Sequence, residues 1–361
     1  MLVMYKKMTN GRGRSGRAGK KNGGMLKNRL SRVLLPKYII LDRFCTTLIF
    51  LLLAMDPAIL SSCTEEAIEP VRLKVKSAAS VSAAKLDIFV FDDDSLGRLD
   101  TYMKADLGGE ICLSSRRGSK IICAAHYPGH DWSNIDSYEG FCGTMALLSC
   151  DNPSSPILCG ESKVKAGSGN ICHIDLEPLL SEVVLRKLKC DFSGKAYEGK
   201  MLKKGRAYLT NVNAQCPIGR RETYNTGILL NAGAYCKQDD EEAGGILSGE
   251  FRCSIGSFNA NTYVYTYCYP NDNISDEPGN PPTRLVIEGE IDGKMCYYPI
   301  NICNFSGSGC GVERNCSYAF DIILKSLGTD DPDTPVSHAD VEISFGNAKN
   351  WNITDERIET Y

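Results

Sequence analysis

Apolar and polar residues alternate with a spacing of two along most of the chain beyond residue 70. Val71, Leu73 and Val75 alternate with Arg72, Lys74 and Lys76, and Leu86, Ile88 and Val90 form a second stripe that stops at Asp92-Asp93-Asp94. Lys120 to Ala125 reads as a short buried strand ended by Tyr127-Pro128-Gly129, and Val183–Cys190 and Arg206–Val212 read as further strands. The clearest hairpin joins Thr283–Ile291 to Lys294–Ile300 through Asp292-Gly293, a pair suited to a tight turn because both positions need positive φ. Leu285, Ile287 and Ile291 alternate there with Arg284, Glu288 and Glu290, which predicts one buried and one solvated face. A short helix is predicted around Tyr138–Leu148. No long helical period competes, and short strands punctuated by Gly, Pro, Asn and Asp predict an all-β fold of sandwich domains.

Two stretches share a plan. Val71–Val75 followed by Leu86–Phe91, and Val183–Leu188 followed by Tyr208–Asn213, are each a strand, an intervening segment and a second strand. This pattern predicts related sandwiches in tandem, divided near Pro178–Ser181, with domains over 63–180 and 181–361.

One apolar run fits neither pattern. Leu48–Leu60 is broken by Asp56 and Pro57, so it is too short for a spanning helix of roughly 20 residues. A signal-peptide core suits it better, because residues 1–62 hold twelve Lys/Arg and only two acids, a basic flank that a buried core helix would not carry. Leu60-Ser61-Ser62-Cys63, followed by Thr64-Glu65-Glu66, resembles a bacterial lipobox, in which the cysteine becomes the lipidated first residue. Residues 1–62 are then export machinery. Met25 opens a more ordinary signal than Met1 does, and the first 24 residues otherwise have the Gly/Arg/Lys composition of a nucleic-acid-binding tail.

The signal changes the charge. Removing its twelve basic and two acidic residues from totals of 41 and 44 leaves 29 against 42, a formal charge of −13 rather than −3. That balance argues against nucleic acid, which requires clustered basic side chains. Of the 17 cysteines, 15 lie beyond Cys63 without CxxC spacing, which supports neither a zinc ribbon nor a redox motif. Many, such as Cys123, sit on apolar stripes and read as small buried hydrophobes.

Catalytic and metal chemistry find little support, and no cofactor is expected. His126 and His130 are separated by Pro128-Gly129, which rules out one helical face, and the Asp92-Asp93-Asp94 run lacks the glycine and terminal Glu of a calcium loop. Asp92–Asp94 and Asp330–Asp333 read as solvated turns. Tyr263, Tyr265, Tyr267 and Tyr269 alternate along one strand, as sheet packing or as a sugar-stacking platform.

Several segments resemble, in order, the Bacteroidetes fimbrial subunits, the type V pilus proteins, with the anchor (minor subunit) branch nearest. They are Leu86–Asp92, Asp191–Lys195, Tyr208–Asn213, Leu230–Tyr235, Tyr267–Asn271, Pro282–Gly289, Tyr297–Asn301 and Arg314–Tyr318. The resemblance implies two transthyretin-like (immunoglobulin-like) β-sandwich domains, export as a lipoprotein, and a non-enzymatic role in a surface fimbria. It implies an outer-membrane anchor held by the lipid on Cys63, with other fimbrial subunits joined by strand addition. Stalk subunits of the family are cleaved after Arg or Lys, losing the first strand. Here Val71–Val75 is the candidate strand, and Arg72, Lys74 and Lys76 are the candidate cleavage points, or else ordinary solvent-facing residues of an uncut strand. The alternative function is a surface glycan- or matrix-binding lipoprotein such as a tip adhesin. Val341–Phe345 reads as an intrinsic last strand or a donated one.

Overall fold

The computed structural model describes residues 67–77, 85–219, 227–235, 244–257, 260–274, 279, 281–302, 311–337 and 339–349. Cys63 and the signal segment lie outside the described residues, and Glu66–Tyr361 is one compact unit.

The first strands are β1 (Ile68–Ser77), β2 (Lys85–Asp92), β3 (Leu99–Asp106), β4 (Glu110–Arg116) and β5 (Ser119–His126). After a short helix α1 (Tyr138–Cys142) and strand β6 (Met145–Leu147) come β7 (Leu158–Lys165) and β8 (Ile171–Pro178). Seven of these strands form one sheet in the order β3-β2-β5-β7-β8-β1-β4. Its inner face carries Val71, Leu73, Leu86, Ile88, Val90, Ile122 and Ile174, all at most 2% exposed. The stripe on β2 therefore points inward as its alternation predicts. Its other stripe is buried too, because Phe89 and Phe91 pack against Trp132 and Phe141 from the segment that crosses the outer face.

The predicted helix is shorter than expected. Ser137 caps α1 by accepting from the Gly140 N–H, and Gly143 follows its last turn. Met145–Leu147 instead becomes β6, paired with β12 (Gln215–Pro217). That pairing rewards Ala146 with full burial, which continuation of a marginal five-residue helix would not provide.

Later in the chain come β9 (Ser181–Cys190), β10 (Lys203–Thr210), β11 (Val212–Asn213) and β13 (Leu229–Leu230), with α2 (Gly244–Leu247) leading into β14 (Ser248–Glu250). The remaining strands are β15 (Ala260–Cys268), β16 (Arg284–Ile291), β17 (Lys294–Asn301), β18 (Cys316–Leu324) and β19 (Val341–Lys349). Two four-stranded sheets result, β15-β9-β18-β19 and β14-β10-β16-β17, and they share one apolar core. The plan common to the two halves has a topological counterpart. β1 lies between an antiparallel neighbour, β4, and a parallel one, β8; β9 lies likewise between β15 and β18.

The β16–β17 hairpin forms as expected, with Asp292 at φ 52 and Gly293 at φ 82. The expected solvated face of β16 does not. Arg284 and Glu288 are 5% and 7% exposed, because β16 is an inner strand and its polar residues find partners. Arg206 holds Glu288 through Nε and Nη2 at 3.0 and 3.2 Å, and Arg284 donates to Asn301 at 2.8 Å and pairs with Asp333 at 3.2 Å. Charge in the sequence marked ion pairing here rather than exposure. Val341–Phe345 is the start of β19, which pairs antiparallel with β18 along its length.

Candidate functional site

Alternation fixes the orientation of β1. Val71, Leu73 and Val75 are 2%, 0% and 6% exposed, while Arg72, Lys74 and Lys76 point to solvent. The strand is interior to its sheet: Lys74 faces Glu110 on β4 and His173 on β8. The Arg72 guanidinium donates to the Gly169 carbonyl at 2.6 Å and lies 3.9 Å from Glu110. The backbone around all three basic residues is thus engaged in ladder pairing, on both sides at Arg72 and Lys74 and with β8 at Lys76.

The sheet curls until its two terminal strands meet, and side chains rather than a backbone ladder join them. Thr101 on β3 donates to the Ser114 carbonyl on β4 at 3.0 Å. Asp100 accepts from the Ser115 hydroxyl at 2.6 Å, from the Arg116 N–H at 2.9 Å and from Arg116 Nε at 2.6 Å. Lys120, 1% exposed, reaches Asp92 at 2.5 Å and Asp100 at 3.0 Å. Burial alone would raise the Asp100 pKa, but the bonds from Ser115, Arg116 and Lys120 outweigh it and hold the carboxyl well below the usual range. Asp92, expected in a solvated turn, belongs to this clasp; Asp94 forms the turn itself, accepting from the Leu96 and Gly97 N–H groups.

A second buried polar knot unites segments far apart in sequence. Asn211, at φ 57, donates to the Pro282 carbonyl, and its N–H reaches Asn231 at 2.9 Å. Asn271 and Thr283 both donate to the Asn211 carbonyl, and Asn213 donates to that of Pro270 at 2.6 Å. Tyr208–Asn213, Leu230–Tyr235, Tyr267–Asn271 and Pro282–Gly289, read as separate motifs, converge here. They share a structural role.

The tyrosine row does not form a platform. A register shift between Asn261 and Val264, with Tyr263 at φ 42, breaks the alternation. Tyr263 is 42% exposed, while Tyr267 and Tyr269 are buried. Tyr269 donates to Asp151 at 3.0 Å, an interaction the sequence did not suggest. Desolvation pushes the Asp151 pKa up to about 6, against bonds from Ile157, Tyr269 and Asn152. Cys123, Cys190, Cys216 and Cys268 are buried free thiols, and burial raises the Cys190 and Cys268 pKa values to about 11 and 12, the reverse of what a nucleophile needs. His126 donates its Nδ1–H to the Lys85 carbonyl at 2.9 Å. Among the described residues no group of His, Cys, Asp and Glu is arranged to hold a metal ion.

These features define an all-β, sandwich-type protein with an interior first strand and side-chain closure of its first sheet. No family model matches the chain, and no curated protein matches it by sequence. Solved structures match by fold. A Bacteroides eggerthii protein assigned to cell adhesion superposes with a TM-score of 0.57 at 15% identity, covering 78% of this chain and 96% of that one. The fimbrilin of Porphyromonas gingivalis matches with a TM-score of 0.54 at 14% identity, over 79% and 98% of the two chains. The tip fimbrial protein Mfa3 of the same organism, with a C-terminal truncation, matches with a TM-score of 0.50 at 12% identity, over 79% and 100%. The chain therefore has the fold of these adhesion and fimbrial proteins, nearly end to end in each neighbour.

Proposed function

We propose that this chain is a structural, non-enzymatic subunit of a surface fimbria. In this reading it is the membrane-proximal one, held in the outer membrane by a lipid on Cys63 and supporting adhesion. The observation that carries the proposal is the fold shared with a fimbrilin and a tip fimbrial protein along 98–100% of their length, and with a cell adhesion protein along 96%. Two points support its finer parts. Cys63 precedes β1 by five positions, so a lipid there tethers the end of the chain that feeds the first strand. β1 also has the buried alternate side chains and two-sided pairing of a strand that another subunit's strand can replace by β-augmentation. The two-domain division at 180/181 belongs to the same proposal, supported by the seven-stranded sheet lying wholly before Leu179–Leu180 and both four-stranded sheets wholly after it, although β6 and β12 pair across the division.

Mass spectrometry of the membrane-associated protein tests this. The expected species is an uncut chain beginning at an acylated Cys63. A soluble species beginning after Arg72, Lys74 or Lys76 would overturn the anchor role in favour of a polymerising subunit, and an unmodified Cys63 in an intact chain would remove the lipid anchor.

A further inference from the structure

A cleft of about 330 Å³ opens on the outer side of the first sheet, between β3 and the loop that leaves β5. Its floor is aromatic and its rim is polar. Tyr102, 41% exposed, leans on Phe89 with ring centroids 5.0 Å apart, and its hydroxyl is pinned by Asp87 at 2.6 Å. Opposite it, His130 stacks on Tyr127 at 4.6 Å and 8°, and meets Trp132 edge-on at 4.4 Å. Both walls are thus fixed before any ligand arrives, which lowers the ordering cost of binding.

The rim carries Lys104 and Asp131, with Asp131 oriented by the Ser133 N–H and hydroxyl at 3.0 and 3.1 Å. Burial lowers the His130 pKa, so at neutral pH the ring is uncharged and offers one donor and one acceptor. Lys104 lies 3.9 Å from Asp87, which balances its charge, and Asp131 adds a carboxylate on the other side, so the rim disfavours an anion and offers both donors and acceptors to a neutral ligand. A third observation concerns Trp132, which lines the cleft at 6% exposure. Its indole N–H meets no acceptor in the protein, leaving a buried donor that a ligand oxygen could satisfy.

We propose that this cleft binds one pyranose unit of a neutral glycan. The C–H face of the sugar lies on Tyr102, and its hydroxyls bond to Lys104, His130 and Asp131. An aromatic surface ringed by both donors and acceptors suits a sugar, which has one apolar face and a polar edge. An apolar peptide side chain would leave those rim groups desolvated and unpaired. The volume is at the small end of ligand pockets, which run from roughly 300 to 1,000 Å³. This site does not depend on the fimbrial reading and is separate from Tyr263–Tyr269.

Saturation-transfer NMR tests the idea with the methyl glycosides of glucose, galactose, mannose and N-acetylglucosamine. At least one should receive saturation at its ring C–H protons, and Tyr102→Ala should raise its Kd at least fivefold. Because Tyr102→Ala also removes a partner of Asp87, the exposed rim variant Asp131→Ala serves as a second arm with the same expected loss. Tyr263→Ala, an equally exposed tyrosine elsewhere, should leave binding unchanged. Absence of transfer to all four sugars, or a Kd within fivefold of the parent in both Tyr102→Ala and Asp131→Ala, would overturn the proposal.

Discussion

Lys120→Met tests whether the edges of the first sheet are held together by charge. Methionine keeps most of the stem and volume, so the loss is confined to the ammonium group and its contacts to Asp92 and Asp100 at 2.5 and 3.0 Å. The Lys120 and Asp100 side chains are 1% and 6% exposed, so the pair counts as buried. Removing one partner of a buried pair costs roughly 3–5 kcal/mol, because the other charge is left desolvated. Arg116 remains 2.6 Å from Asp100 and 3.3 Å from Asp92, which compensates part of that loss. The expected cost is therefore near the lower end, about 3 kcal/mol.

Urea unfolding at neutral pH, followed by tryptophan fluorescence, gives the change directly. A double-mutant cycle with Asp100→Asn should show a coupling on the order of 1–3 kcal/mol. Acid adds a second readout. The folded-state pKa of Asp100 is depressed, so its contribution to stability is present above the unfolded value near 4 and fades as pH falls below it. The parent should lose this contribution on acidification, and Lys120→Met should lose less. Amide exchange should accelerate in β3 and β4 before β9. A destabilisation below about 1 kcal/mol with no coupling would refute the clasp.

Asp151→Asn should act in the opposite sense with pH. The Asp151 pKa is raised, so the folded state is penalised above about 6 and relieved as pH falls toward 4. The amide keeps an acceptor for Ile157, and its N–H can donate to the Tyr269 hydroxyl oxygen, reversing the bond Tyr269 makes to the carboxylate, so the variant should gain on the order of 1–3 kcal/mol at pH 7 and little at pH 4, read as melting temperature against pH. Gly233→Ala should destabilise by about 2–4 kcal/mol in denaturant titration, since φ is +73° and the new methyl would stand within 2.2–2.4 Å of the Tyr208 ring. Limited trypsin digestion of the folded protein should spare the bonds after Arg72, Lys74 and Lys76, because a protease requires an unpaired extended segment; rapid cutting there would show that β1 leaves its sheet readily.

Much of this fold is legible in the sequence, because alternation reports on the face that strands turn inward. Val71, Leu73 and Val75, the Asp292-Gly293 turn and the C-terminal end of β9 all follow from local pattern. What pattern cannot carry is the identity of a distant partner. Glu288 reads as exposed until Arg206 is found beside it, and Asp92 reads as a turn residue until β3 and β4 bring Asp100 and Arg116 around Lys120. Met145–Leu147 reads as helix because β12, seventy residues away, is invisible to a local window. The aromatic cleft was hidden for a related reason. Tyr102, His130 and Trp132 share no spacing, and only the crossing of the outer face by residues 127–157 brings them together.

The position of β1 constrains what the protein can do. Its three buried apolar side chains contribute roughly 5–9 kcal/mol at about 1.5–3 kcal/mol each, before the two ladders it completes are considered. That is comparable to the whole stability of a typical domain, about 5–15 kcal/mol. The first sheet therefore needs a strand between β4 and β8, either its own or a substitute. A chain that keeps β1 has that place filled and cannot accept a strand from a neighbour there. Under the proposed fimbrial role, such a chain would join a fibre only by giving a strand or by using another surface. In a chain lipidated at Cys63, retention of β1 and the anchoring role are then one physical condition, since cleavage within β1 would open the acceptor place and sever the lipid in the same step.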